Sequence, residues 1–201
     1  MDIDLYNETG ELSQEVLEKT KYRLFMSHVF TGLPTLNLVV EQVEGILEKE
    51  GYLGMICITV EMGDRIEAAY GWVLYDSLIL TVARGLKKLL GRQLRKNDII
   101  AIGQEHDDTF LIFLSGKKSA GKPTVEKLES ISRRIKPLLE EEINNALCDP
   151  LRGRLTLRTA STLIHQNAKV RLERMLYRSI DKSSSVDRKR QTVPGESAPV
   201  P

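Results

Sequence analysis

Residues 95–110 read RKNDIIAIGQEHDDTF. A charged stretch, Arg95-Lys96-Asn97-Asp98, leads into the apolar Ile99-Ile100-Ala101-Ile102. A polar segment, Gly103 to Asp108, follows, and a second apolar run begins at Phe110-Leu111-Ile112-Phe113-Leu114. Apolar run, polar turn and apolar run predict a β-hairpin. Its tip carries Glu105, His106, Asp107 and Asp108, which read either as a ligand site or as a solvated turn.

Outward from the hairpin, helical and strand patterns alternate. Before it, Leu36, Val39, Val40, Val43, Ile46 and Leu47 make one apolar face of a helix ending at Gly51. Tyr52 to Val60 is a β-rich apolar run, read as a central strand, and Gly63 to Gly71 is read as a turn or short helix. Tyr75 to Leu90 is helical, with Leu78, Val82, Leu86 and Leu89 inward. After the hairpin come a basic loop, Ser115 to Pro123, whose lysines read as solvated, and a long amphipathic helix, Val125 to Leu147. Pro137 inside that helix predicts a kink or break, because proline removes a backbone donor and crowds the preceding turn. Arg154 to Ile164 alternates as a half-buried strand does, and Ala168 to Ile180 is a closing helix. A further helix is expected from Leu12 to Met26, with Glu11, Glu15 and Glu18 early in it. The expected fold is an α/β sandwich with a mixed central sheet flanked by helices.

At 201 residues and 41% hydrophobic composition the chain can bury one sizeable core. Its formal net charge of +1 provides no global field, so neither nucleic acid nor membrane insertion is expected. Residues 1–29 are read as a leader and helix, 30–182 as the domain, and 183–201, rich in Ser, Pro and charge, as a disordered tail. Cys57 and Cys148 have no ligand spacing and are read as reduced thiols. With no apolar run of about eighteen residues and no signal-like start, the chain is expected to be soluble and cytoplasmic. His28, His106 and His165 are read as surface or capping residues, and Trp72 as a packing residue.

Phe30-Thr31-Gly32-Leu33-Pro34, Tyr70-Gly71, Arg95-Lys96-Asn97-Asp98 and Met175-Leu176-Tyr177-Arg178 form, in that order, a series of landmarks that resembles GGDEF domains, the diguanylate cyclases that join two GTP molecules into cyclic di-GMP. Phe30-Thr31-Gly32-Leu33-Pro34 is similar to the family's opening motif, and Tyr70-Gly71 stands where the family has YGH. Arg95-Lys96-Asn97-Asp98 matches its RxxD inhibitory site, and Met175-Leu176-Tyr177-Arg178 its closing motif. The resemblance covers about Phe30 to Lys182 and implies the palm-like fold shared with class III nucleotide cyclases, here with an extra N-terminal helix.

It also implies a lost activity. His106, Asp107, Asp108, Thr109 and Phe110 replace Gly-Gly-Asp/Glu-Glu-Phe, so both glycines that let the backbone approach GTP are gone. The family's second metal-binding aspartate falls on Thr59, a neutral hydroxyl, and its guanine-reading asparagine on Glu67, while Asp76 keeps the partner aspartate. No catalytic residue, metal or cofactor is therefore expected, and Asp107 with Asp108 reads as a solvated turn.

Arg95 and Asp98 retain the inhibitory pair. Arginine can fork onto a guanine edge while the aspartate accepts from the other edge. Arg133, Arg134 or Lys136 could supply a second cation. By spacing alone, Arg-x-x-Asp is a solvated turn pair worth less than about 1 kcal/mol. The expected function is an inactive GGDEF-like receptor for cyclic di-GMP, signalling to a protein partner, with a homodimer left open. The alternative is an interaction module on the same fold that uses no nucleotide; an active cyclase is the third reading.

Overall fold

The computed structural model describes residues 28, 30–61, 63–103, 108–116, 123–146, 155–167, 170–172, 174–178 and 180, with the backbone alone for 63–65. The expected helix from Leu12 to Met26, the tip residues His106 and Asp107, the loop lysines, Cys148 and the tail lie outside the described residues.

Helix α1 (Leu36–Glu50) buries Leu36, Val39, Val43 and Leu47, the stripe its spacing predicts. It stops at Gly51, whose φ of 76° is the left-handed conformation that a residue with a Cβ adopts at a cost. The Gly51 N–H closes the last turn on the Leu47 carbonyl at 2.7 Å. Strand β1 (Tyr52–Val60) follows at once. Helices α2 (Gly63–Tyr70) and α3 (Trp72–Leu89) are parted by Gly71, at φ 86°. Then come β2 (Ile99–Ile102), β3 (Thr109–Leu114), α4 (Val125–Ala146) and β4 (Leu157–His165), and residues 174–178 are helical.

The four strands lie in the order β2-β3-β1-β4. All three strand pairs are antiparallel, so the sheet is not the mixed one expected from alternating strands and helices. The reason is topological: β3 inserts between β1 and β2, separating the two strands that run parallel, as in a split βαβ unit. Among the described residues, parallel pairing occurs only in isolated bridges such as Thr35 with Ile102.

Helices cover both faces of the sheet. On one, Ile56, Ile58, Ile100, Ile102, Phe110 and Ile112 pack with Leu78, Val82 and Leu86 of α3 and Leu128, Ile135 and Leu139 of α4. On the other, Leu53, Met55, Cys57, Ile99, Leu111 and Phe113 meet the α1 stripe together with Leu172 and Leu176. Burial on both sides is why β2 and β3 read as continuous apolar runs. Each such Leu or Ile contributes about 1.5–3 kcal/mol through removal from water.

Of the kink or break expected at Pro137 the break does not occur, and Trp72 is not packed. Helix α4 runs unbroken through Pro137, which sits on the exposed side of the helix where water can reach the carbonyl that the missing N–H leaves unbonded. Trp72 is 65% exposed, not packed, because the first turn of α3 extends past the sheet's cover. Among the described residues no helix is long and apolar enough to cross a membrane.

The approach of α4 to the sheet depends on Gly54 in β1. A Cβ there would stand 2.6 Å from Leu128 Cδ2. Gly54→Val is therefore expected to lower the unfolding free energy by about 1–3 kcal/mol through overpacking, read as a shifted urea midpoint at unchanged slope.

Candidate functional site

The hairpin places two candidate sites at its opposite ends, about 13 Å apart for the four residues of β2. At the open end, the turn before β2 is closed twice. The Asp98 N–H donates to the Arg95 carbonyl at 3.1 Å, and Asp98 Oδ2 accepts the Arg95 N–H at 2.7 Å. Asp98 is only 6% exposed, since Ile99 follows directly into the core. Its other oxygen, Oδ1, is buried with no hydrogen-bond partner among the described residues. Burial pushes the Asp98 carboxyl above its ordinary value, against the Arg95 N–H bond and the Arg95 charge, which pull it down.

Arg95 reaches in a different direction, across the mouth of the hairpin. Its Nη1 donates to the Ser115 carbonyl, just past β3, at 2.9 Å. Arg134 on α4 donates from Nη2 to the Gln93 carbonyl at 2.9 Å. Between these groups lies a cavity of about 460 Å³ whose lining includes Arg95, Asp98, Ser115, Lys127, Ser130 and Arg134.

Of the three cations expected on α4, the groove takes Arg134 alone. Arg133 is exposed and does not line it, and Lys136 pairs with Glu140 at 3.7 Å. The helix phase explains the selection: Lys127, Ser130 and Arg134 recur at the i, i+3, i+7 spacing of one face. Lys127 and Ser130 were missed in the sequence, and their spacing from Arg134 is the signal that could have found them.

At the tip end, the β1–β3 register sets Thr59 opposite Thr109. The Val60 N–H donates to the Asp108 carbonyl at 3.0 Å, and Thr109 Oγ1 donates to Asp108 Oδ1 at 3.1 Å. Thr59, the position that the resemblance assigned to a metal-binding aspartate, thus lies at the same end of the sheet as Asp108 and Thr109 of the hairpin. Glu67 is exposed on α2 and Asp76 half-buried on α3. Cys57 lies beside Thr59, Sγ to Oγ1 3.9 Å, and burial holds its thiol up at about 11, so it stays protonated at neutral pH.

Arg158 of β4 is a residue that sequence reading overlooked. It is the register partner of Thr59, and its Nε and Nη2 both donate to Glu61 Oε1, at 3.0 and 2.8 Å. Directly opposite residues in an antiparallel pair share a face, so an arginine, held by a glutamate, stands beside the neutral threonine. Among the described residues no three His, Cys, Asp or Glu side chains gather as a cation-binding group.

No protein-family model matches the sequence, and no curated protein matches it. Solved structures of GGDEF domains share its fold. The coiled coil and GGDEF domain of DgcB from Caulobacter crescentus, in complex with c-di-GMP, aligns at TM-score 0.63 and 11% identity over 88% of this chain and 87% of that one. The GGDEF domain of FimX from Pseudomonas aeruginosa gives 0.59 and 16%, over 82% and 94%. Diguanylate cyclase SiaD from Pseudomonas aeruginosa, in complex with its activator SiaC, gives 0.59 and 15% over 89% of this chain, which spans 65% of the SiaD chain. At these identities the likeness is one of fold: the chain is a GGDEF-like α/β domain.

The raised Asp98 carboxyl gives the groove a pH signature. A native-state value above the unfolded one means that the folded protein binds the proton more tightly, so stability is present at low pH and is lost as pH rises through the raised value. Asp98→Asn keeps an acceptor for the Arg95 N–H without a charge. The variant is expected to be more stable than the native protein at pH 7, with the difference vanishing towards pH of about 4, the ordinary carboxyl value. Urea denaturation across that range measures it, and a difference independent of pH would contradict the buried-carboxylate account.

Proposed function

We propose that this domain is a catalytically inactive GGDEF-like receptor that binds cyclic di-GMP in the Arg95–Asp98 groove and passes its occupancy to a protein partner. The observation that carries the reading is the buried Asp98 Oδ1, without a partner among the described residues, in a groove that also presents Arg95 and Arg134. A buried acceptor left unpaired costs about 1–3 kcal/mol, which a ligand N–H donor would recover. Guanine offers two such donors on one edge and two acceptors on another that an arginine fork fits. The carbonyl bonds of Arg95 and Arg134 are exposed, so exchanging them for ligand atoms costs little. Arg133 and Lys136 have no part in this site.

Signal transfer has a short path. If Arg95 turns to a ligand it releases Ser115, and the adjacent Gly116 N–H is bonded to Glu50 Oε2 of α1 at 2.6 Å. Occupancy of the groove would thus bear on the end of α1. The DgcB structure holds c-di-GMP and the SiaD structure an activator protein, which gives both ligand and partner a precedent on this fold.

Inactivity rests on chemistry at the hairpin tip. Thr59 offers no anionic ligand to a divalent cation, and the nearby Glu61 carboxylate is already engaged by Arg158. By the sequence resemblance, His106 and Asp107 stand in for the two glycines whose lack of side chains lets the backbone approach a triphosphate.

Calorimetric titration with cyclic di-GMP is expected to give saturable binding. Arg95→Ala should weaken it by about 5- to 150-fold, the worth of one bidentate guanine contact of about 1–3 kcal/mol. Absence of heat with the native protein would sink the receptor reading and leave the interaction module. Incubation with GTP and magnesium is expected to yield no cyclic di-GMP, and product formation would overturn the inactivity.

A further inference from the structure

On the far side of the sheet from that groove, α1 and the closing helix enclose a second concavity. Two hollows of about 420 and 450 Å³ share Val170 and Arg171 in their linings and so run into each other. One bank is acidic, with exposed Glu44 and Glu48 one helical turn apart on α1. The other is basic, with exposed Arg171, Arg174 and Arg178. Half-buried Val170 and Met175 lie between them.

These banks flank one groove without neutralising each other. Among the described residues the ion pairs are Lys88–Glu142, Lys136–Glu140 and Arg158–Glu61, and none involves either bank. Like charges at i, i+3 and i+4 repel within each bank, at about 0.2–0.5 kcal/mol per pair, a repulsion that opposite charge from a partner would relieve.

We propose that this face is the interface through which a second copy of the chain docks about a twofold axis. A twofold contact sets the same patch against itself, so a patch with acid on one side and base on the other is complementary to its own copy. Each glutamate bank then meets the partner's arginine bank, with Val170 and Met175 closing the apolar centre. Single-signed occupants fit worse. A polyanion meets the repulsion of Glu44 and Glu48, and a basic segment that of the arginines. The inference is independent of the nucleotide reading, since the groove at Arg95 and Asp98 packs on α4 and stays open in such a dimer.

Sedimentation velocity of the full chain at low salt, over a concentration series reaching about 100 μM, reads the outcome as the dissociation constant. The native protein is expected to show a monomer–dimer equilibrium that high salt weakens. Glu44→Arg with Glu48→Arg, or Arg171→Glu with Arg174→Glu, should each weaken self-association by at least about tenfold. Mixing these two variants should produce a heterodimer, because the all-basic groove of one faces the predominantly acidic groove of the other, which keeps only Arg178 of its arginine bank. Combining all four changes in one chain should restore the homodimer. Circular dichroism confirms that each variant is folded, and where the fourfold variant is not, the mixture decides. A native protein that stays monomeric, a dimer indifferent to both reversals, or variants that do not associate when mixed would each overturn the proposal.

Discussion

The pairing of β1 with β3 at the centre of the sheet is the constraint on which the rest depends. Its register, with Met55 opposite Phe113 and Thr59 opposite Thr109, assigns every apolar side chain of both strands to one helical layer or the other. A slip of one residue would send Ile56 and Ile58 towards α1 and Cys57 towards α4, so both helical layers would lose their fit together. The same register carries the hairpin tip to the end of β1 and leaves the hairpin's base under α4. The two candidate sites are therefore separated by the fold itself, and one can lose its chemistry without touching the other.

Much of this was legible in residue patterns. The runs Tyr52–Val60, Ile99–Ile102 and Phe110–Leu114 are apolar because both faces of their strands are covered, and α1 shows its buried stripe and its terminal glycine plainly. The turn Arg95–Asp98 was legible too, because an aspartate three residues on can reach back to the backbone of a tight turn. The choice among Arg133, Arg134 and Lys136 was not. It is fixed by the rotation of α4 about its axis, which Leu128, Ile135 and Leu139 set against the sheet. The Arg158–Glu61 pair escaped because only the β1–β4 register joins residues so distant in sequence. Trp72 was misread because an aromatic residue carries no local sign of whether a neighbouring element will cover it.

Asp98 shows how a residue can serve a turn and burden the fold together. One oxygen closes the backbone turn that launches β2, a structural task that an asparagine could share. The other is buried unbonded, and burial makes its charge unfavourable at neutral pH. An amide would serve the turn without a buried charge, so the turn alone does not account for a carboxylate at this position.

The bonds of Arg95 lead to the same place. Its guanidinium spans the hairpin's mouth to Ser115, and the next residue, Gly116, is held by Glu50 at the end of α1. Gly51 stands between α1 and β1, and its carbonyl receives the Gln166 N–H beyond β4. The base of the hairpin, the end of α1 and the approach to the closing helix are thus tied by a few exposed or half-exposed hydrogen bonds, each weak alone, next to a core that cannot deform. On the proposed reading, a ligand that competes for Arg95 would act on this soft chain, beside a sheet that is buried on both faces. The separation of a rigid centre from a bonded, rearrangeable rim is the physical basis on which a binding event at the groove could be felt across the domain.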